Sequence, residues 1–142
     1  MGKRLIGSVC LAVAGGTPSP YTRTTSFVIA CGAEDEALTT GTKVTFRLPY
    51  AYTITEVRAS LTTAGTGANL VTCMFEQNGT DILSTAITID ASELTSTTAS
   101  TPPVISTSAL TDDASIDCDV DQIDSGGVSA GLKMYLIGYK TL

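Results

Sequence analysis

The residues of this chain able to do chemistry are acids, thiols and tyrosines. Histidine is absent, which removes Ser-His-Asp and Cys-His nucleophilic designs, imidazole acid–base work and His-ligated zinc. The most conspicuous polar constellation is Asp117-x-Asp119-x-Asp121, followed by Asp124. On an extended strand, alternate residues leave one face about 6–7 Å apart, so the first three carboxylates form a comb able to take Ca²⁺ together with loop carbonyls. As an EF-hand loop the run fails, because Gln122 stands where glycine is required and Val128 where the final glutamate belongs. A solvated outer face or a charged subunit interface accounts for the same acids, and no metal is assigned. A second acidic cluster, Glu34-Asp35-Glu36, either caps a helical turn or keeps a loop wet. Carboxylate pairs hydrolyse glycosides without histidine, but nothing in the sequence sets two acids across a cleft. We therefore expect no enzyme, and assign no catalytic residue and no cofactor.

Four cysteines, Cys10, Cys31, Cys73 and Cys118, lack the close C-x₂-C spacing of a structural zinc site. Cys73 and Cys118 fall on apolar-facing strand positions and read as buried small hydrophobes. Cys10 and Cys31 fall nearer arm and loop regions, where a disulfide within or between subunits is open. Asn78-Gly79-Thr80 satisfies the glycosylation triplet, yet Asn-Gly is also the favoured centre of a type I′ turn. Tyr50, Tyr52, Tyr135 and Tyr139 suit either a carbohydrate platform or a core and interface role. Neither the GxxxxGK[ST] phosphate loop nor the GxGxxG fingerprint is present.

Composition narrows the setting of these residues. The 142-residue chain matches one globular domain. Thr occurs 24 times and Ser 13 times, while charged residues make up only 15%. Thr suits a strand because its branched Cβ packs on the pleat while its hydroxyl faces water. The net charge of -6 argues against a surface that holds nucleic acid or anionic lipid. Residues 1–70 carry six basic and four acidic groups, +2, whereas residues 71–142 carry two and ten, -8. Such asymmetry either orients subunits in an assembly or serves solvation alone.

The amino terminus places Lys3 and Arg4 before an apolar run over residues 5–14 that ends Ala12-Val13-Ala14. That layout is close to a secretory signal with an A-x-A site. The run is short, however, and too short to span a bilayer, so residues 1–20 are read as an ordered arm or docking strand. Thr17-Pro18-Ser19-Pro20 is a linker in which two prolines fix φ.

Strands are expected over residues 21–30 and 43–48. A third, over 50–61, changes phase between Ile54 and Val57 and so carries a bulge. Residues 70–76 and 82–89 flank Asn78-Gly79 as a hairpin. Residues 91–101 are ambiguous, with Asp90 and Ser92 as candidate caps of a helical turn. A short edge strand follows at 104–106. Residues 114–120 and 131–139 alternate cleanly, and the latter is apolar on both faces, as for a central strand or one meeting a neighbour. Seven to nine short strands with regular turns predict an all-β chain: a β-sandwich, jelly-roll-like, over residues 21–142. Phe46, Ile54, Val57, Val71, Phe75, Ile82, Ile116, Val120, Leu132 and Leu136 are the expected core.

Residues 37–64, centred on Thr45-Phe46-Arg47-Leu48-Pro49-Tyr50-Ala51-Tyr52-Thr53-Ile54-Thr55-Glu56-Val57-Arg58-Ala59, resemble a module in small virion-associated proteins of tailed bacteriophages. So do Asn78-Gly79-Thr80-Asp81-Ile82-Leu83-Ser84-Thr85, Ile87-Thr88-Ile89-Asp90-Ala91-Ser92-Glu93, Thr95-Ser96-Thr97-Thr98-Ala99 and Gly131-Leu132-Lys133-Met134-Tyr135-Leu136-Ile137-Gly138. The resemblance runs from about residue 37 to the end and is weaker over the first 36 residues. It implies a β-sandwich module in a virion fibre, decoration or capsid-associated protein, often trimeric, and it carries no catalytic residues with it. The expected role is a structural virion protein, a capsid decoration or head-fibre subunit assembling through its N-terminal arm and β-domain. Its expected partners are other virion proteins, either the major capsid protein or a portal, neck or tail component, and further copies of itself. The alternative is a tail-fibre domain that binds a receptor or glycan.

Overall fold

The computed structural model describes residues 23–142; the expected arm over residues 1–20, with Cys10, lies outside them. Eleven strands follow one another: β1 (Thr25–Ala30), β2 (Gly41–Arg47), β3 (Tyr52–Ser60), β4 (Val71–Gln77), β5 (Thr80–Asp81), β6 (Leu83–Thr85), β7 (Ile87–Ile89), β8 (Val104–Ile105), β9 (Ala109–Leu110), β10 (Ser115–Gln122) and β11 (Lys133–Lys140). They build two main antiparallel sheets. The first runs β1-β11-β3-β9 and the second β2-β10-β4-β5, with β7 also on β4.

This order is that of a rolled ribbon. β1 pairs with β11, β2 with β10, β3 with β9 and β4 with β7, so the chain forms four successive rungs of one long antiparallel hairpin. Rolling the ribbon places the first and third rungs in one sheet and the second and fourth in the other. New pairs, β11 with β3 and β10 with β4, then close each sheet. The result is a jelly roll, in which most connections cross between layers. Strand β11 is therefore central in its sheet, which accounts for apolar residues on both of its faces.

Alternation dictates what each sheet buries. Ile116, Cys118 and Val120 of β10 face Met134 and Leu136 of β11 across the interior, with Phe75, Ile54, Val57, Ile87 and Leu132 completing one cluster. Nine of the ten expected core residues are buried; Phe46 is half-buried. No described threonine is buried, so the hydroxyl excess sits on outer faces and loops.

Two local features depart from simple alternation. The bulge falls where the phase change placed it: Ile137 opposes Glu56 while Gly138 opposes Ile54, leaving Thr55 as the extra residue. There the Thr53 carbonyl comes so close to Gly138 that a Cβ would stand 2.0 Å from its oxygen. The return strand expected over residues 82–89 is instead broken. Asn78 (φ 53°) and Gly79 (φ 80°) make the predicted turn, and β5 pairs with β4. Ile82 and Leu83 then both point inward, which a continuous strand forbids, so β6 leaves to pair with β8 before β7 rejoins β4. Residues 91–101 hold a single 3-10 turn, Ser96–Thr98, capped by Thr95 rather than Asp90 or Ser92.

Gly138→Ala tests the bulge. Its clash with backbone predicts a loss of about 1–3 kcal/mol in urea unfolding, and unchanged stability contradicts this packing.

Candidate functional site

The acids expected on β10 divide into two environments. Asp117 and Asp119 lie on the outer face of the second sheet. Glu76 of β4 is the cross-strand neighbour of both Asp117 and Asp81, so Asp81, Glu76 and Asp117 stand in a row across three strands. Like charges directly opposed in this way repel. Burial raises the Glu76 pKa, and Asp119, Asp81 and Asp117 raise it further. Asp121 is the extra residue of a second bulge, where the register with β4 shifts between Val120 and Gln122. Its pKa is raised by burial and then by Asp119 and Asp81. One polar anchor relieves the row: the Thr45 hydroxyl donates to Asp117 Oδ1 at 2.6 Å. Asp119 Oδ1 is buried without a partner. Among the described residues, no group of three or more acids or thiols takes the arrangement of a metal site.

Asp124 does not belong to the comb. It is only 2% exposed and organises a loop. Its carboxylate accepts from the N–H groups of Thr66 (3.0 Å), Val128 (3.2 Å) and Ser129 (3.2 Å), and from the Ser129 hydroxyl (2.5 Å). Burial pushes its pKa upward, but the Ser129 hydroxyl and the three backbone donors outweigh burial and hold it far below the usual carboxylate range. The aspartate spacing gave no sign of this, because the donors come from the following loop, at Val128 and Ser129, and from Thr66, 58 residues away.

The Glu34-Asp35-Glu36 cluster lies in the exposed β1–β2 loop. Glu34 receives Lys133 Nζ and the Thr62 hydroxyl, and the Lys133 hydrogen bond leads in lowering its pKa. The cluster thus pins three segments together. A groove of about 570 Å³ runs beside β3, between Val57, Ser96, Pro103 and Ile105. The carboxylate at its rim is Glu56, paired with Arg58 at 2.6 Å.

The thiols also move from their expected places. Cys73 and Cys118 are buried, as their positions implied. Cys31 is buried too, at 4% exposure, rather than lying on a loop surface. It carries the chain from β1 into the interior, where its thiol donates to the Ile29 carbonyl at 3.5 Å and its side chain joins the same core cluster as Cys118. No disulfide joins the three described cysteines. Burial raises the Cys73 thiol, whereas the hydrogen bond to Cys31 leads in raising Cys118.

The tyrosines split between two places. Tyr52 is buried, its hydroxyl donating to the Thr25 carbonyl at 2.8 Å. It packs edge-on against Phe27, 5.0 Å between centroids. Tyr50 joins them beneath Lys140 Nζ. Tyr135 lies on the outer face of the first sheet, within 2.9 Å of the Ser60 hydroxyl. Asn78, in turn, uses its side-chain oxygen to accept from the Ser115 N–H at 3.0 Å.

The aromatic group marks a second region. β1 and β2 end their sheets and, among the described residues, carry no strand on their outer edges. They adjoin across the sandwich, with Phe27 and Phe46 6.3 Å apart. Their inward-facing residues, Phe27, Ile29, Val44 and Phe46, pack on the core yet are only half-buried. Two long open edges thus flank an apolar seam, while the far ends of both sheets finish in strands of two or three residues.

In comparison with known proteins, no family model, curated protein or solved structure matches the chain.

Glu76→Gln removes repulsion and is expected to raise stability by about 0.5 kcal/mol at pH 7. The raised Glu76 pKa means wild type recovers this gain on acidification, so the difference vanishes once pH falls below the ordinary carboxylate value. Asp124 has the opposite sign. Its contribution is complete above about pH 4 and is lost as pH falls through the depressed folded value, so Asp124→Asn costs about 2 kcal/mol at pH 7 and less in acid. Denaturant titrations from pH 7 to pH 2 check both, and matching slopes for the two variants contradict the assignment. Alkylation provides a separate check: in a Cys10→Ser chain, Cys31, Cys73 and Cys118 gain three labels by mass spectrometry only after unfolding, and native labelling of any of them contradicts their burial.

Proposed function

We propose that the chain is a structural subunit of a tailed-phage virion, a capsid decoration or head-fibre protein that works by assembling. The observation that carries this reading is the half-covered seam between β1 and β2. A sandwich whose described residues leave four inward-facing apolar side chains only half-buried between two open edges has a surface suited to a partner. Jelly rolls serve in both capsid and lectin proteins, so the fold supports the reading without selecting it. The resemblance over residues 37–142 adds the phage particle and a trimer. The acid-rich half gives each subunit a polar face that suits contact with a basic neighbour.

The particle partners in this reading are the major capsid protein or a portal, neck or tail component. Cys10 is the thiol assigned to any disulfide between subunits, since the three described cysteines are buried. The division of the tyrosines between seam and outer face favours assembly over a single glycan platform.

Sedimentation of the purified full chain is expected to give three times the 14.6 kDa subunit mass. Quantitative mass spectrometry of purified particles is expected to find the chain in fixed ratio to the major capsid protein. A monomer absent from particles contradicts the reading.

A further inference from the structure

The seam between β1 and β2 has the shape of a strand site, and the same chain contains a segment whose residue pattern suits it. In the run over residues 5–14, an extended segment would place Leu5, Gly7, Val9, Leu11 and Val13 on one face, large and apolar except at Gly7. Ile6, Ser8, Cys10, Ala12 and Ala14 fall on the other. One face is thus large and apolar, and the other is mostly small. An edge strand closing a sandwich has this pattern, with bulky residues toward the core and small ones toward solvent. The run's ten residues are enough to cover the six of β1 or the seven of β2.

We propose that residues 5–14 of a second copy lie along the seam, adding a strand to the open edge of β1 or β2. Their Leu5, Val9, Leu11 and Val13 face covers Phe27, Ile29, Val44 and Phe46. Backbone pairing at the open edge supplies affinity, and the apolar side chains supply register. The inference rests on the reading of the chain as an assembling subunit and names the contact through which it assembles.

Linker chemistry selects a second copy over the chain's own arm. Residues 15–24 span at most about 33–36 Å, enough to reach a neighbour. Pro18 and Pro20 favour an extended path over the reversal needed to pair with the chain's own β1. Exchange of an identical segment between copies is a low-cost route to an oligomer.

Cross-linking of the full chain tests this. In a Cys10→Ser background, chains carrying Val9→Cys, Leu11→Cys or Val13→Cys are each co-expressed with chains carrying Val44→Cys and oxidised with glutathione disulfide. Each bond formed between two thiols reduces one glutathione disulfide to two glutathiones. The expected product is a two-chain band at one or more positions, while Ala12→Cys, on the opposite face, gives none. A chain carrying both Leu11→Cys and Val44→Cys that stays at monomer mass while losing both engineered thiols to a bond between them shows the arm on its own seam and overturns the second-copy assignment.

Sedimentation keeps the proposal separate from the reading beneath it. Leu11→Asp is expected to reduce the oligomer to the monomer with its circular dichroism unchanged, whereas Ala12→Asp leaves it assembled. An oligomer that survives Leu11→Asp and gives no cross-link overturns the arm-in-seam contact while assembly stands. A wild-type monomer overturns both.

Discussion

The dry interior between the two sheets is the interaction on which the rest of the molecule depends. Its central members, Ile116 and Cys118 on one side and Met134 and Leu136 on the other, come from strands paired on both flanks. Each of these strands is therefore held by two neighbours and by the opposing layer. Only alternate residues serve this interior, so their neighbours are free to be threonine, serine or acid. The composition of the chain follows from that division: a small apolar set faces inward, and a large hydroxyl set is in contact with water.

The same constraint explains why one residue type behaves in two ways. Asp117 and Asp119 leave the outer face of β10, where nearby groups include other carboxylates, and the row repels itself. Asp124, a few residues later, enters a loop whose backbone donors converge on it, and its charge is stabilised. Conserving the acid while moving it a few positions would exchange a structural anchor for a repelled surface charge. The contrast lies in the donors each carboxylate receives, since chemical identity is the same.

Much of the architecture was legible in local pattern. Alternation located β4, β10 and β11, Asn78-Gly79 located the turn, and the phase change at Ile54 and Val57 located the bulge. Each of these signals is carried by neighbours in sequence. What local pattern could not carry was contact between distant segments. The break between β5 and β7 arises because Ile82 and Leu83 are both drawn inward, with β8 as the new partner of β6. Cys31 looked like a loop thiol because its neighbours Gly32 and Glu34 are loop residues, yet it turns into the interior and joins the core. Phe46 had the alternation of a core residue, but its strand closes a sheet edge, so its burial stops halfway.

That partial burial links fold to assembly. A jelly roll ends each sheet at two edges, and here two of the four are long, adjacent and backed by aromatic residues. In the proposed role, a partner at this flank would complete the interior that the described residues leave open, which ties that role to the packing of the sandwich itself. The most direct test is a cryo-electron microscopy reconstruction of the intact particle. The account predicts this jelly roll in threefold clusters on the particle, with an extended segment over Phe27 and Phe46. A particle without the chain, or subunits whose β1–β2 seam faces open solvent, would contradict it.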